Sequence, residues 1–178
     1  MDYYYKEMST PVGRLKLISS DKGLTAILWE KDIPNRIKDF HPVEHNTHPI
    51  LLETERQLNE YFKKERSVFT VPLDQVGTAF QKKVWEALVA IPFGETKTYG
   101  QLAKMMGDIK LSRAVGGANH RNPVSIIVPC HRVIGTSGDL TGFAGGLDAK
   151  AFLLQLEGNT QAKKVKEGKK PSQQLKLL

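Results

Sequence analysis

Residues 98–123 read TYGQLAKMMGDIKLSRAVGGANHRNP, and the fold turns on how they are divided. Thr98 and Gln101 stand three apart, the spacing at which a threonine and a glutamine cap a helix reciprocally. A short helix is therefore predicted over TYGQLAKMMG. A polar break, Asp108-Ile109-Lys110, leads into a second short helix bounded by Ser112 and Pro123. Two helices with so few residues between them have helix-turn-helix spacing. Gly116 and Gly117 in the second cost roughly 1–2 kcal/mol relative to alanines, so another backbone should come close there. Either a second helix crosses tightly beneath a solvated polar face, or a nucleic-acid backbone is met by Arg113, Asn119, His120 and Arg121.

Upstream, Thr78 and Gln81 repeat the capping pattern and open TAFQKKVWEALVAIP, with Phe80, Val84, Leu88 and Ile91 on one face. Pro92-Phe93-Gly94 closes it. Further back the pattern changes. YYYKEMST, RLKLIS and LTAILWE read as three strands of an antiparallel meander, with Gly13 and Asp21-Lys22-Gly23 at the turns. PILLETERQLNEYFKKE, residues 49–65, places apolar side chains at 51, 52, 58, 61 and 62, a helix packed on that sheet. Downstream, DAKAFLLQLEG carries Ala149, Phe152, Leu153 and Leu156 on one side and stops at Gly158. The expected organisation is an N-terminal α/β domain over 1–75, a mostly helical domain over 76–159, and a poorly ordered tail over 160–178. No internal repeat is visible.

Composition narrows the class. The 178 residues are 40% hydrophobic and 25% charged, ordinary for a globular protein. The single cysteine excludes an intrachain disulfide and any zinc site built from several thiolates. The N-terminus shows no secretory h-region, and no run approaches the ~18 apolar residues of a membrane span. An intracellular protein is expected, cytoplasmic, or nuclear in a eukaryote. The net charge of +7 grows toward the C-terminus: −1 over 1–75, +3 over 76–159 and +5 over 160–178. That gradient suits a polyanionic partner, although a solvated lysine tail is the commoner meaning of such a run.

The cysteine lies in IIVPCHRVIG, residues 126–135, with His131 beside it. VSIIV before it reads as a buried strand, and Pro129 ends the ladder, so Cys130 is placed at a strand end. It is either a nucleophile with a nearby base or a buried thiol acting as a small hydrophobe. On an extended chain Cys130 and His131 face opposite ways, so a bridging water is the simplest coupling. The loop GTSGDLTGFAGGLD, residues 135–148, is rich enough in glycine to pass close to a ligand or simply to be a mobile surface loop. It has neither the P-loop ending nor a dinucleotide fingerprint, so no nucleotide cofactor is expected. Glu157 is either an ordinary surface glutamate or the acid that orients His131.

These segments together resemble the O6-alkylguanine-DNA alkyltransferase family. VPCHRV is similar to its active-site signature, and IPFGETKTYGQLA, SRAVGGANHRNP, GFAGGL and LLQLEG match in order and spacing across residues 78–158. The resemblance implies an α+β fold, with a small N-terminal α/β (ribonuclease H-like) domain built on an antiparallel sheet and a winged-helix-like C-terminal domain carrying the helix-turn-helix. It implies repair of DNA: Cys130 would take the alkyl group of O6-alkylguanine, or O4-alkylthymine, irreversibly and once. His131 would act on Cys130 through a water, Glu157 would hold the imidazole, and Asn122 would brace the turn bearing the cysteine. Tyr99 would protonate the departing guanine. Backbone groups of Cys130 and Val133 would accept from the guanine amino group, and the Ala144 amide would face O6. Arg113 would fill the gap left by the extruded nucleotide, with Ala114 and Gly116 against the minor groove. The implied partner is double-stranded DNA, bound by a monomer, with no cofactor, metal or membrane.

The sequence departs from some members in having Ala144 for serine and Phe143 for tyrosine or tryptophan, and in lacking the two cysteines of their N-terminal zinc site. A non-catalytic binder of alkylated bases and a Cys-His hydrolase are the competing readings. The first is disfavoured because such relatives replace the acceptor cysteine.

Overall fold

A computed structural model describes residues 1–32 and 37–159; the expectation for the tail over 160–178 lies outside them. β1 (Tyr4–Thr10), β2 (Gly13–Ser19) and β3 (Leu24–Trp29) form the expected antiparallel meander. Gly13 turns the first hairpin at φ +103°, a conformation that favours glycine. The second turn is held by the Ser20 amide on the Gly23 carbonyl at 3.0 Å. Within this sheet one strand has no counterpart in the sequence reading: β4 (Val43–Glu44) pairs parallel with β1, so the sheet order is β3-β2-β1-β4.

α1 (Pro49–Phe62) lies on this sheet and buries Leu51, Leu58 and Tyr61. Its capping group is His48, whose ring accepts from the Ile50 amide, with proline at the first helical position. Leu52, expected on the apolar face, is exposed; Thr54 and Gln57 are buried in its place.

The second half is helical. α2 (Ala79–Val89) and α3 (Tyr99–Met105) both begin with the complete capping box read from Thr78/Gln81 and Thr98/Gln101. α4 (Ser112–His120) follows α3 after a single 3-10 turn, giving the helix-turn-helix. Trp85 of α2 ties to it, donating its indole N–H to the Ala118 carbonyl at 2.9 Å. α5 (Leu147–Leu156) ends at Gly158, which takes φ +81°. Ala149 and Leu153 enter the main core, and Ala151 and Leu154 close a smaller cluster with Ile134 and Leu140.

The two halves share one apolar core, from Met8 and Leu17 in the sheet to Val115 and Leu153 in the helices. The free edge of β3 joins them: the Ile27 amide donates to the Pro123 carbonyl at 2.8 Å, and Ile27 bridges Val124 in parallel. The segment leading to Cys130 is thereby docked on the N-terminal sheet. This is an α+β fold, an N-terminal sheet domain and a helical C-terminal domain.

Candidate active site

VSIIV is not a strand. Apart from the single bridge at Val124, residues 124–128 form buried turns, with Ile126 in the left-handed region at φ +73°. A β-branched residue there costs on the order of 1–3 kcal/mol and persists only when its surroundings dictate it. Asn122 is such a constraint. Its Nδ2 donates to the Val128 carbonyl at 2.8 Å and its Oδ1 accepts from the Val124 amide at 3.0 Å, closing the turn from both sides. An apolar β-branched run of five residues carries no periodicity that separates strand from buried turn.

Cys130 consequently opens a 3-10 turn, Cys130–Arg132, rather than ending an extended strand. Consecutive side chains are then about 120° apart instead of opposed. The turn is capped by β6 (Val133–Ile134), paired in parallel with β5 (Lys97–Thr98). Cys130, His131 and Arg132 are all buried.

The His131 ring is wholly buried and places Nε2 at 2.7 Å from Oε2 of Glu157. Burial holds the imidazole below its ordinary range, although Glu157 pulls the other way. Burial alone would raise the Glu157 carboxyl, but His131 and Arg132 outweigh it and keep the carboxylate ionised. An ionised acceptor at Nε2 fixes the neutral tautomer with its proton on that nitrogen, which leaves Nδ1 as a base. Nδ1 is buried and makes no hydrogen bond within the described residues.

Glu157 is therefore no surface glutamate. Arg132 grips it with Nε at 2.8 Å and Nη2 at 3.0 Å, and with Nη1 holds the Ile91 carbonyl at 2.7 Å. The Tyr61 hydroxyl adds a bond of 2.6 Å to Oε2. Sequence reasoning missed both Arg132 and Tyr61. An arginine inside the apolar run VPCHRVI is the available signal for the first; nothing in sequence points to the second, 96 residues from its partner.

The glycine loop is tied to this centre by Thr141, which meets Tyr99, and by Phe143, which packs edge-on toward the His131 ring. Tyr99, the first residue of α3, shares a 2.5 Å hydrogen bond with the Thr141 hydroxyl. Burial raises the Tyr99 phenol above its usual range, and Cys130 adds to that when ionised, while its hydrogen bonds to Thr141 and Asn119 oppose. Asn119 is thus turned inward and buried. Ala144 sits in a turn closed by the Gly146 amide on the Phe143 carbonyl. Beneath it lies Trp29, at the end of β3. A Cβ on Gly145 would come within 2.6 Å of that indole, so only glycine fits. Trp29 also packs edge-on against Phe143 and donates to Ser125 at 3.1 Å.

Lys150 of α5 is fully buried, its Nζ donating to the carbonyls of Val133 at 2.6 Å and Thr141 at 3.3 Å. It thereby ties the loop to the cysteine segment. Burial lowers its ammonium from 10.5 to about 8, partly opposed by Cys130 when that thiol is ionised. The folded protein thus releases this proton before the unfolded chain does. Between about pH 8 and 10.5 the unfolded chain holds more protons, so raising the pH favours the fold. Relative to Lys150→Met, the wild-type protein should gain up to roughly 3 kcal/mol across that window. Urea midpoints of both proteins at about pH 8 and about pH 10 measure it; a constant gap would contradict it.

On α4, Val115, Ala118 and Asn119 face inward, whereas Arg113, Ala114, Gly117 and His120 are exposed. A Cβ on Gly116 would make an ordinary 3.6 Å contact with Tyr99, and one on Gly117 would meet nothing. Among the described residues no helix crossing requires either glycine. Of the sequence-predicted residues, Cys130, His131, Glu157, Asn122, Tyr99, Val133 and Ala144 converge within or beside the buried centre, and Arg113, Ala114 and Gly116 lie on the neighbouring helix. Among the described residues no cluster of three His, Cys, Asp or Glu side chains is arranged to hold a metal, and no helix is long and apolar enough to cross a membrane.

Two family models match in tandem. Residues 3–75 match the ribonuclease-like domain of 6-O-methylguanine DNA methyltransferase, and residues 79–159 its DNA binding domain. The chain belongs to the 6-O-methylguanine DNA methyltransferase family. Within it, a methylated-DNA–protein-cysteine methyltransferase of Methanosarcina acetivorans is 49% identical over 156 residues, spanning 88% of this chain and 99% of its own. Another, from Mycobacterium leprae, is 54% identical over 154 residues, spanning 85% and 90%. Among solved structures of the family, Mycobacterium tuberculosis OGT in complex with DNA superposes with a TM-score of 0.80 at 40% identity, over 89% of this chain and 96% of that one.

Proposed function

We propose that this chain repairs DNA by moving the alkyl group of O6-alkylguanine, and of O4-alkylthymine, onto Cys130, once per molecule. The observation that carries the reading is the buried Cys130 next to the His131–Glu157 pair, on a chain whose neighbouring helix α4 leaves Gly117 facing open space. It is supported by what relatives of 40–54% identity are named for. Residues 1–75 act as the supporting domain and 76–159 as the DNA-binding and transfer domain. The protein works as a monomer in the compartment that holds the DNA, the cytoplasm of a prokaryote or the nucleus of a eukaryote.

His131 Nδ1 takes the thiol proton through a water, and Glu157 steadies the resulting imidazolium. The Cys130 sulfur attacks the alkyl carbon in line; an S–C bond forms as the C–O6 bond breaks, and its electron pair passes to the guanine. Tyr99, still a phenol at neutral pH, protonates the leaving base at N3 and is re-protonated from solvent. The Cys130 and Val133 carbonyls orient the exocyclic amine, sharing lone pairs already used by the Val133 amide and Lys150. The Ala144 amide faces O6. The thiolate is itself the acceptor, so no cofactor enters.

A base inside a duplex is out of reach of a buried thiol, so it must be extruded. The small residues of α4 favour this: Ala114, Gly116 and Gly117 let the helix approach the minor groove closely, where the degenerate edge pattern fits a protein indifferent to sequence. Arg113, exposed and making no ion pair among the described residues, fills the vacated stack.

Incubation with duplex containing O6-methylguanine, followed by mass spectrometry of the peptide holding Cys130, is the direct test. One methyl per protein supports transfer. Tight binding with Cys130 unchanged would indicate a non-catalytic binder, and amide or ester turnover without DNA a hydrolase. Arg113→Ala should slow transfer from duplex by on the order of 10–100-fold, the scale of a few kcal/mol of unstacking. Its rate with free O6-benzylguanine should stay unchanged; equal rates on duplex would remove Arg113 from the flipping step.

A further inference from the structure

Glu157 receives more donors than holding one imidazole requires. On Oε2 three converge: His131 Nε2 at 2.7 Å, the Tyr61 hydroxyl at 2.6 Å and Arg132 Nη2 at 3.0 Å. Oε1 takes Arg132 Nε at 2.8 Å and a long contact from the Gly94 amide at 3.5 Å. Tyr61 stands apart from the rest. It comes from α1, in the sheet domain, and lies outside the span matched by the DNA binding domain model.

We infer that Tyr61 is a positioning residue of the transfer site: by donating to Oε2 of Glu157 it sets how much negative charge that oxygen offers His131, and so how readily His131 Nδ1 holds a proton. The inference rests on the alkyl-transfer reading above and deepens it. An ionised carboxylate can only accept, so the phenol must be the donor. Burial and the adjacent Glu157 charge push the Tyr61 hydroxyl well above its usual range, which keeps the proton in place through any working pH. The ring is fully buried between Phe62, Phe69 and Phe93, which fixes the hydroxyl's aim. Donors crowding one oxygen draw on the same lone pairs, so each weakens the hold of the others.

The charged groups facing His131 are Glu157 from the end of α5, Arg132 from its own turn and Lys150 from α5. Arg132 and Lys150 both disfavour the imidazolium; Glu157 favours it. Tyr61 acts on the one favourable partner. Removing its hydroxyl leaves Glu157 more negative toward His131, so His131 is protonated at a higher pH and ceases to be a base there.

Tyr61→Phe keeps the ring and deletes only the donor. Its single-turnover rate on duplex O6-methylguanine, measured from about pH 5 to 9 with the full chain, should show an acid limb displaced upward by roughly 0.5–1 pH unit. A more acidic phenol, 3-fluorotyrosine placed at 61 alone, should displace the limb the opposite way and retains fold-supporting packing if the phenylalanine variant is too unstable to assay. A purely structural role predicts lower stability with both limbs where the wild-type limb lies, and that result overturns the inference. A wild-type protein that transfers no methyl group overturns the alkyl-transfer reading itself, and this one with it.

Discussion

Cys130→Ala should abolish alkyl transfer altogether while leaving the fold and the affinity for DNA close to wild type. Loss of the sulfur removes the acceptor, and no second cysteine exists to take its place. The side chain sits on a turn held by Asn122 and by the Pro129–Arg132 hydrogen bond, neither of which uses the thiol. Removing one buried sulfur leaves a small cavity, a modest stability cost beside that of emptying a larger core site. α4, which carries Arg113, is untouched. Mass spectrometry of the methylated-DNA reaction and a binding titration with the same duplex check the two halves. Residual methylation of the variant would mean that another atom accepts the group, and a large fall in affinity would mean that the thiol shapes the DNA-binding surface.

Glu157→Gln should be strongly destabilising. His131, Arg132 and Gly94 present donors to its two oxygens, as does Tyr61. A glutamine must point its NH2 at some of them, and Arg132 is left buried without a counter-charge. Breaking such a pair costs about 3–5 kcal/mol, which for a chain of this size lowers Tm by roughly 6–20 °C. The carboxyl is held below its ordinary range in the fold, so its contribution is present above about pH 4.5 and fades as pH falls below that. The gap between wild type and variant should therefore narrow in acid. Thermal unfolding at about pH 7 and about pH 4 measures both effects, and transfer should fall with the loss of the His131 anchor. A variant as stable as wild type would mean that Glu157 is hydrated rather than buried in solution.

Much of the architecture is legible because it depends on neighbours in sequence. Alternation marks β1 to β3, and the two threonine–glutamine pairs mark the starts of α2 and α3 to the residue. What escapes depends on distance. β4 is two residues long and has no period to detect. VSIIV reads as a strand because apolar composition is common to strands and buried turns; only Asn122 and the positive φ of Ile126 reveal the second. Cys130, His131, Asn122, Tyr99 and Glu157 stand out on a family pattern, and the fold brings them together. Tyr61, Arg132 and Lys150 belong to a shell whose meaning emerges only when α1, the cysteine turn and α5 meet. For the last two, a lysine or arginine within an apolar run is the cue that composition offers.

Trp29 and Gly145 form a lock and its keyway across the two domains: the indole fills the place where any side chain at 145 would stand. The shape of the loop over the reactive centre is thus inherited from the sheet domain as much as from its own residues. For anyone recombining members of this family, the loop over 135–146 is not a portable cassette. In this chain it has to travel together with Trp29, because a side chain at 145 would need the space that the indole holds.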